Sequence, residues 1–295
     1  MKYTLTLIGN SATSLSGELV AAAAAHLPSP EAPDWLAPGL ACEIGFEAAD
    51  GKAIEAALRA QLQSARIDLS VQSAGDRKKK LLVADMDSTI IQQECIDELA
   101  AELGIKPQIA EITERAMRGE IAFEPALKER VGLLKGLPLA SLEKVYRERI
   151  VETPGGRALT ATMRRNGATC ALVSGGFTFF TERVAKAVGF DLNRANTLVF
   201  VDGNLSGEVA EPILGRSAKI EALVGLRETL KLAPHDTLAV GDGANDLGMI
   251  EEAGLGVAFR AKPVVAEVAD ARIDHGDLTA LLYLQGYRRE EIVAV

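Results

Sequence analysis

Leu81-Leu82-Val83-Ala84-Asp85-Met86-Asp87-Ser88-Thr89 is the stretch on which the fold turns. Four apolar residues in succession, without polar alternation, mark a short strand buried on both faces of a parallel sheet. Its last residues emerge at the C-terminal edge of that sheet, where open α/β sheets bind their ligands. Residues two apart in an extended chain point the same way, so Asp85 and Asp87 share one reaction centre. One carboxylate can attack phosphorus to give an acyl phosphate, and a second, protonated, can release its proton to a departing alkoxide.

Such an attack needs cations. A carboxylate about 4 Å from a phosphate dianion meets roughly 8 kcal/mol of repulsion at an effective dielectric of 20. Downstream, Leu238-Ala239-Val240 delivers a second acidic turn, Gly241-Asp242-Gly243-Ala244-Asn245-Asp246. Asp242 and Asp246 offer the hard oxygens that Mg²⁺ prefers. Lys219, in Ser217-Ala218-Lys219-Ile220, is the candidate ammonium. Both cations would also hold Asp85 ionised. Between these lies Ala171-Leu172-Val173-Ser174-Gly175-Gly176-Phe177, an apolar run ending in a hydroxyl and two glycines before a helix-like segment. Backbone amides at Gly175 and Gly176 can approach a phosphate because no side chain intervenes, and Ser174 would hydrogen-bond one of its oxygens.

These elements, in this order, resemble the haloacid dehalogenase superfamily of aspartyl-phosphate-forming hydrolases, and within it the phosphoserine phosphatases, from Lys80 to the C-terminus. The resemblance implies a Rossmann-like α/β fold with a parallel sheet wrapped by helices, and a small helical cap inserted after the first core strand. It implies Asp85 as nucleophile, Asp87 as acid and base, Ser174 and Lys219 as catalytic partners, and Asn245 as a residue near the phosphate. Mg²⁺ would be held by Asp85, the backbone carbonyl of Asp87, and Asp242. In the cap, Glu94 would pair with a substrate ammonium, Arg130 would grip its carboxylate, and Met117 and Phe123 would cover the pocket. The charges make independent sense: a zwitterionic amino acid needs one anion and one cation beside the phosphate, and the planar fork of arginine suits a carboxylate. The implied activity is hydrolysis of O-phospho-L-serine, the last step of serine biosynthesis. A phosphotransferase passing phosphate to an alcohol such as homoserine, or a phosphatase of another small phosphomonoester, is the alternative. In a third reading the N-terminal part is an amino-acid sensor or partner-binding module.

With 295 residues, 48% of them hydrophobic, two units are expected: an N-terminal α/β unit over 1–76 and a catalytic unit over 77–295, with the cap at about 91–165. The first unit reads as a strand at Tyr3–Ile8, a helix from Leu15, a turn-rich stretch Pro28–Pro38, a segment Ala41–Ala48, a helix Lys52–Gln63 and an alternating Ile67–Val71. That succession is compatible with a ferredoxin-like, ACT-like sandwich, although its middle strands are poorly marked and no effector-specific residues stand out. Gly75-Asp76-Arg77-Lys78-Lys79-Lys80 marks the boundary.

A formal charge of −9 with 4% aromatic residues argues against a nucleic-acid partner and leaves attraction of an anionic substrate to a local basic pocket. Cys42, Cys95 and Cys170 are too few and scattered for a disulfide framework, which fits a reducing cytoplasm, and Cys95 reads as a packed thiol. The alanine-rich stretch after Val20 is too interrupted for a membrane span or signal peptide. Gly45 to Lys52 only approximates a nucleotide-binding loop, lacking the terminal Ser or Thr. Oligomeric state is left open, a homodimer included.

Overall fold

Apolar residues recurring at every second position between Lys2 and Ile8 and between Ala41 and Glu47 give two strands with one apolar face against their own helices, while Ile8 and Ala41 at their ends join the neighbouring core. The computed structural model describes residues 1–75, 77–117, 120–215 and 217–295, the side chain of Met117 excepted. The N-terminal elements are β1 (Lys2–Ile8), α1 (Gly17–Ala24), β2 (Asp34–Ala37), β3 (Ala41–Glu47), α2 (Gly51–Leu62) and β4 (Asp68–Ser73). They form an antiparallel sheet in the order β2-β3-β1-β4, the arrangement of a ferredoxin-like sandwich. Ser16 caps α1 by accepting from the Leu19 amide, and Asp50 caps α2 by accepting from Lys52 and Ala53. Leu5, Leu7, Ile44 and Phe46 pack beneath Val20, Leu58 and Leu62 of those helices. β2 falls inside the stretch expected to be turns. It is four residues long and lies on the sheet's edge, so the usual strand pattern has little room to appear.

Downstream the chain forms β5 (Leu81–Ala84), α3 (Cys95–Glu102), α4 (Lys106–Met117), α5 (Phe123–Gly132), α6 (Leu139–Arg149) and α7 (Gly156–Arg165). There follow β6 (Thr169–Phe177), α8 (Thr178–Val188), β7 (Leu192–Asn196), the hairpin β8 (Leu198–Val201) and β9 (Asn204–Val209), and α9 (Ala218–Thr229). The last elements are β10 (Thr237–Gly241), α10 (Leu247–Glu252), β11 (Leu255–Phe259), α11 (Pro263–Ala266), β12 (Ala271–Ile273) and α12 (Ala280–Leu284). Six strands make one parallel sheet in the order β12-β11-β10-β5-β6-β7. Leu81 and Val83 face α9 and α10, whereas Leu82 and Ala84 join the larger core on the other face, which explains the unbroken apolar run. Strand order reverses between β5 and β10, and that switch point opens a crevice between the two strands bearing the acidic turns.

Helices α3–α6 pack chiefly on one another and on β9, while α7 lies against β6 and α8; the segment expected as cap thus contains one helix that belongs to the sheet's layer. The four helices join the core through two adjacent crossings. Ile91 pairs with Glu152, the Gln92 amide donates to Val151 O at 2.9 Å, and the Thr153 amide donates to Ile90 O at 2.8 Å. The β8–β9 hairpin adds a third tie: Gly136 and Leu205 donate to Leu205 O at 2.8 Å and Leu137 O at 2.9 Å, respectively. Its turn has Asp202 and Gly203 at φ 49° and 78°, as a two-residue hairpin with the strand twist requires.

The two sheets meet through apolar and polar side chains: Ile8, Leu36, Ala37 and Ala41 join the larger core, and polar groups tie the edges. Asp68, on the edge strand β4, is 2% exposed and accepts the amides of Asp274, His275 and Gly276 just beyond β12. Arg77 forks onto Glu43 at 2.7 and 2.8 Å. Among the described residues no helix is long and apolar enough to cross a membrane.

Candidate active site

β5 ends at Ala84, and the chain then turns through residues 86–90, a loop closed by the Ile91 amide on Met86 O at 3.0 Å, in which Asp87 is extended and Ser88 has φ 56°. That loop lets Asp85 and Asp87 both face the crevice. The Asp85 amide is locked to Val240 O on β10 at 3.0 Å, so the nucleophile position is tied directly to the strand that carries the second acidic turn.

Asp85 Oδ1 accepts from the Met86 amide at 2.7 Å and pairs with Lys219 Nζ at 2.7 Å. Lys219 Nζ also meets Asp246 Oδ1 at 2.6 Å. Asp246 is fully buried, and its other oxygen accepts the amides of Asp242 and Gly243 at 3.1 and 2.9 Å. A Cβ at Gly241 would collide with the Asp246 carboxyl, so glycine is what allows that group to fold back under the turn. Burial and the charge of Asp246 push the Asp85 carboxyl well above the usual carboxylate range, against the pull of Lys219. Burial works against the Lys219 charge, but Asp85 and Asp246 more than offset it and hold the ammonium above its ordinary value.

Asp87 is held differently. Its Oδ1 accepts the Cys95 amide at 2.8 Å, at the start of α3, and its Oδ2 accepts the Ser174 hydroxyl at 3.1 Å. Desolvation raises its pKa above the usual carboxylate range, and these donors pull it part of the way back. Asp242 is raised to about 6 by burial first and then by Asp246. Oxygens of Asp85, Asp242 and Asp246 lie within 4.8 Å of one another, with the single ammonium of Lys219 among them. Three acids around one buried ammonium, with Lys262 acting on Asp242 as well, leave surplus negative charge on hard oxygens, a donor set that fits a divalent ion. Asp246, already engaged by Lys219 and two amides, has the least freedom to serve it.

Phe123, Ser174, Gly175, Lys219 and Asn245 line one cavity beside these acids. The Phe123 ring is 3.3 Å from where a Cβ of Gly175 would stand, and a Cβ at Gly176 would lie 2.9 Å from Asp87 Oδ2. Glu94 accepts from the Ser88 hydroxyl at 2.7 Å. Although solvent reaches it, its recessed position and the charges of Asp87 and Asp242 raise it to about 7. Arg130 donates to Ala126 O at 3.3 Å and to Thr113 Oγ1 at 3.4 Å; burial lowers its pKa, while Glu94 and Asp97 work the other way. The Met117 side chain lies outside the described residues. Sequence reasoning missed the Thr89 hydroxyl, 3.5 Å from Asp242 Oδ1, and the buried amide of Asn196 behind the Ser174 loop. Thr89 closes the acidic stretch after β5 and has no role assigned to it there, whereas Asn196 carries no local motif that could have singled it out.

The haloacid dehalogenase-like hydrolase family model matches residues 82–251, more than half of the chain. The chain belongs to that family. A phosphoserine phosphatase of Streptomyces coelicolor is 41% identical over 259 residues, covering 87% of this chain; the chain spans 63% of that relative's length. A HAD family hydrolase from Salmonella enterica serovar Typhi superposes with a TM-score of 0.87 at 29% identity, covering 96% of this chain and 98% of the other. A phosphoserine phosphatase solved as a phospho-aspartyl intermediate analogue gives a TM-score of 0.65 at 41% identity, covering 70% of this chain and 98% of that one. The haloacid dehalogenase-like core accounts for both halves of the crevice, because the matched residues run from β5 to α10.

Proposed function

We propose that this hydrolase releases L-serine and phosphate from O-phospho-L-serine through a phospho-Asp85 intermediate, with Mg²⁺ as cofactor. The observation that carries the reading is the division of labour between the two carboxyls: Asp85 on Lys219 at 2.7 Å, Asp87 on Ser174 at 3.1 Å, both in one crevice. The similarity to phosphoserine phosphatases supports the substrate.

In the first half-reaction a carboxylate oxygen of Asp85 bonds to phosphorus, the bond from phosphorus to the seryl oxygen breaks, and Asp87 supplies the proton that oxygen needs. In the second, Asp87 takes a proton from water as the water oxygen bonds to phosphorus and the acyl phosphate opens, regenerating Asp85. Lys219, the Ser174 hydroxyl and the amides at Gly175 and Gly176 stabilise charge on the transferring phosphoryl group. Asp85, the Asp87 backbone carbonyl and Asp242 would hold the divalent ion, which when bound neutralises charge between the carboxylate and the phosphate. Glu94 and Arg130 would receive the ammonium and carboxylate of the substrate, with Met117 and Phe123 above and Asn245 beside the phosphate. Three buried free thiols are in keeping with a reducing, cytoplasmic setting.

The test is Asp85→Asn. It should abolish both turnover and the acid-quenched, radiolabelled phosphoenzyme while the chain still folds, since Lys219 keeps its pair with Asp246. Label retained on the D85N protein would refute the covalent route.

A further inference from the structure

We propose that Asn196 is a positioning residue that aims the Gly176 amide at the phosphate, a role that rests on the phosphate-ester chemistry proposed above. Asn196 ends β7 and is 1% exposed. Its Nδ2 donates to Gly175 O at 2.9 Å and to Leu214 O at 3.5 Å, while its Oδ1 accepts the Leu214 amide at 2.8 Å. The orientation is set by its partners: flipping the side chain would put an amide oxygen against two carbonyls.

The backbone needs this help. Pairing between β6 and β7 jumps from Val173–Arg194 to Phe177–Asn196, and pairing with β5 stops at Leu172. Residues 174–176 therefore have no ladder partner to fix their peptide planes. In a trans peptide the carbonyl and the following N–H lie in one rigid plane and point in opposite directions. Holding Gly175 O outward on Asn196 turns the Gly176 N–H inward, where it donates to Ser174 Oγ at 2.8 Å. That hydroxyl in turn donates to Asp87 Oδ2 at 3.1 Å. The same side chain holds Leu214, and Leu214 and Gly215 line the same cavity as Ser174 and Gly175. One buried amide thus ties together two segments that line the anion site without touching the anion.

The test uses the magnesium-loaded full chain and inorganic phosphate as probe. By isothermal titration, Asn196→Asp and Asn196→Ala should bind phosphate at least ten-fold more weakly than the unmodified protein. Phe46→Leu, a core change in the N-terminal sheet, controls for lost stability and should bind phosphate within two-fold of the unmodified protein. Phosphate affinity within two-fold in the Asn196 variants, or a matching loss in the control, would overturn the assignment. A second measurement needs no variant: on adding phosphate to ¹⁵N-labelled protein the Gly176 amide proton should move, and an unmoved resonance would also overturn it. A chain that binds phosphate in this way yet leaves phosphoserine intact would refute the proposed activity and leave the role of Asn196 standing.

Discussion

Replacing Lys219 by methionine probes the centre of the charge arrangement, because it removes the one ammonium between two acids while keeping most of the side-chain volume. Lys219 is 4% exposed and lies 2.7 Å from Asp85 and 2.6 Å from Asp246. Each contact carries about 6 kcal/mol of attraction at an effective dielectric of 20. The lysine no longer has to be desolvated in the variant, so the net loss is smaller, and breaking a buried ion pair from one side costs about 3–5 kcal/mol. We expect that deficit at pH 7 in magnesium-free urea unfolding followed by circular dichroism. Its pH dependence has a definite sign. Asp85, already raised by burial and Asp246, rises further without the lysine. The folded variant then binds a proton that the unfolded chain releases at about pH 4, so stability falls as pH rises above that value. The deficit relative to the unmodified protein should therefore shrink as pH is lowered from 7 toward 5. A loss below about 1 kcal/mol, or one unchanged across that range, would refute the claim that Lys219 neutralises a buried acid pair.

Three further outcomes follow from the geometry. Arg130→Ala should raise KM for phosphoserine about ten-fold or more while leaving phosphoethanolamine, which lacks the carboxylate, within two-fold, because a charge-assisted fork is worth roughly 1.5–3 kcal/mol; equal effects on the two substrates would remove the carboxylate clamp. With Glu94 raised to about 7, the protonated form that cannot pair with an ammonium dominates below that pH. Accordingly kcat/KM for phosphoserine should climb between pH 6 and 8 more steeply than for an ester without an ammonium, and Glu94→Gln should erase the difference; a persisting difference would assign it elsewhere. Gly241→Ala should displace the Asp246 carboxyl from its two amides and Lys219, costing about 1–3 kcal/mol and most of the phosphatase activity; a variant of full stability and rate would show that the close approach is not needed.

Much of the site could be read from the chain because its chemistry is local. Asp85 and Asp87 sit on one strand end, and Asp242 and Asp246 in one turn, so their residue types and spacing are visible without a fold. The edge strand β2 was not visible, since a four-residue strand with two buried residues leaves almost no periodicity. The alternation at Ile67–Val71 also misleads: Asp68 and Ser70, which the pattern assigns to solvent, are both buried, Asp68 because three amides from the loop after β12 satisfy its carboxylate.

Composition and pattern alone determined a parallel sheet with acids at its C-terminal edge, since an unbroken apolar run admits burial on both faces and leaves its polar end at the rim. Tertiary structure alone decided which groups meet there. β5 and β10 become neighbours although their residues are far apart in sequence, so that Lys219 spans Asp85 and Asp246 and the end of β7 brings the Asn196 amide behind the Gly175 carbonyl. Those pairings depend on strand order and on a lapse in β-ladder register, and both are properties of contacts between distant segments that no single stretch of sequence encodes.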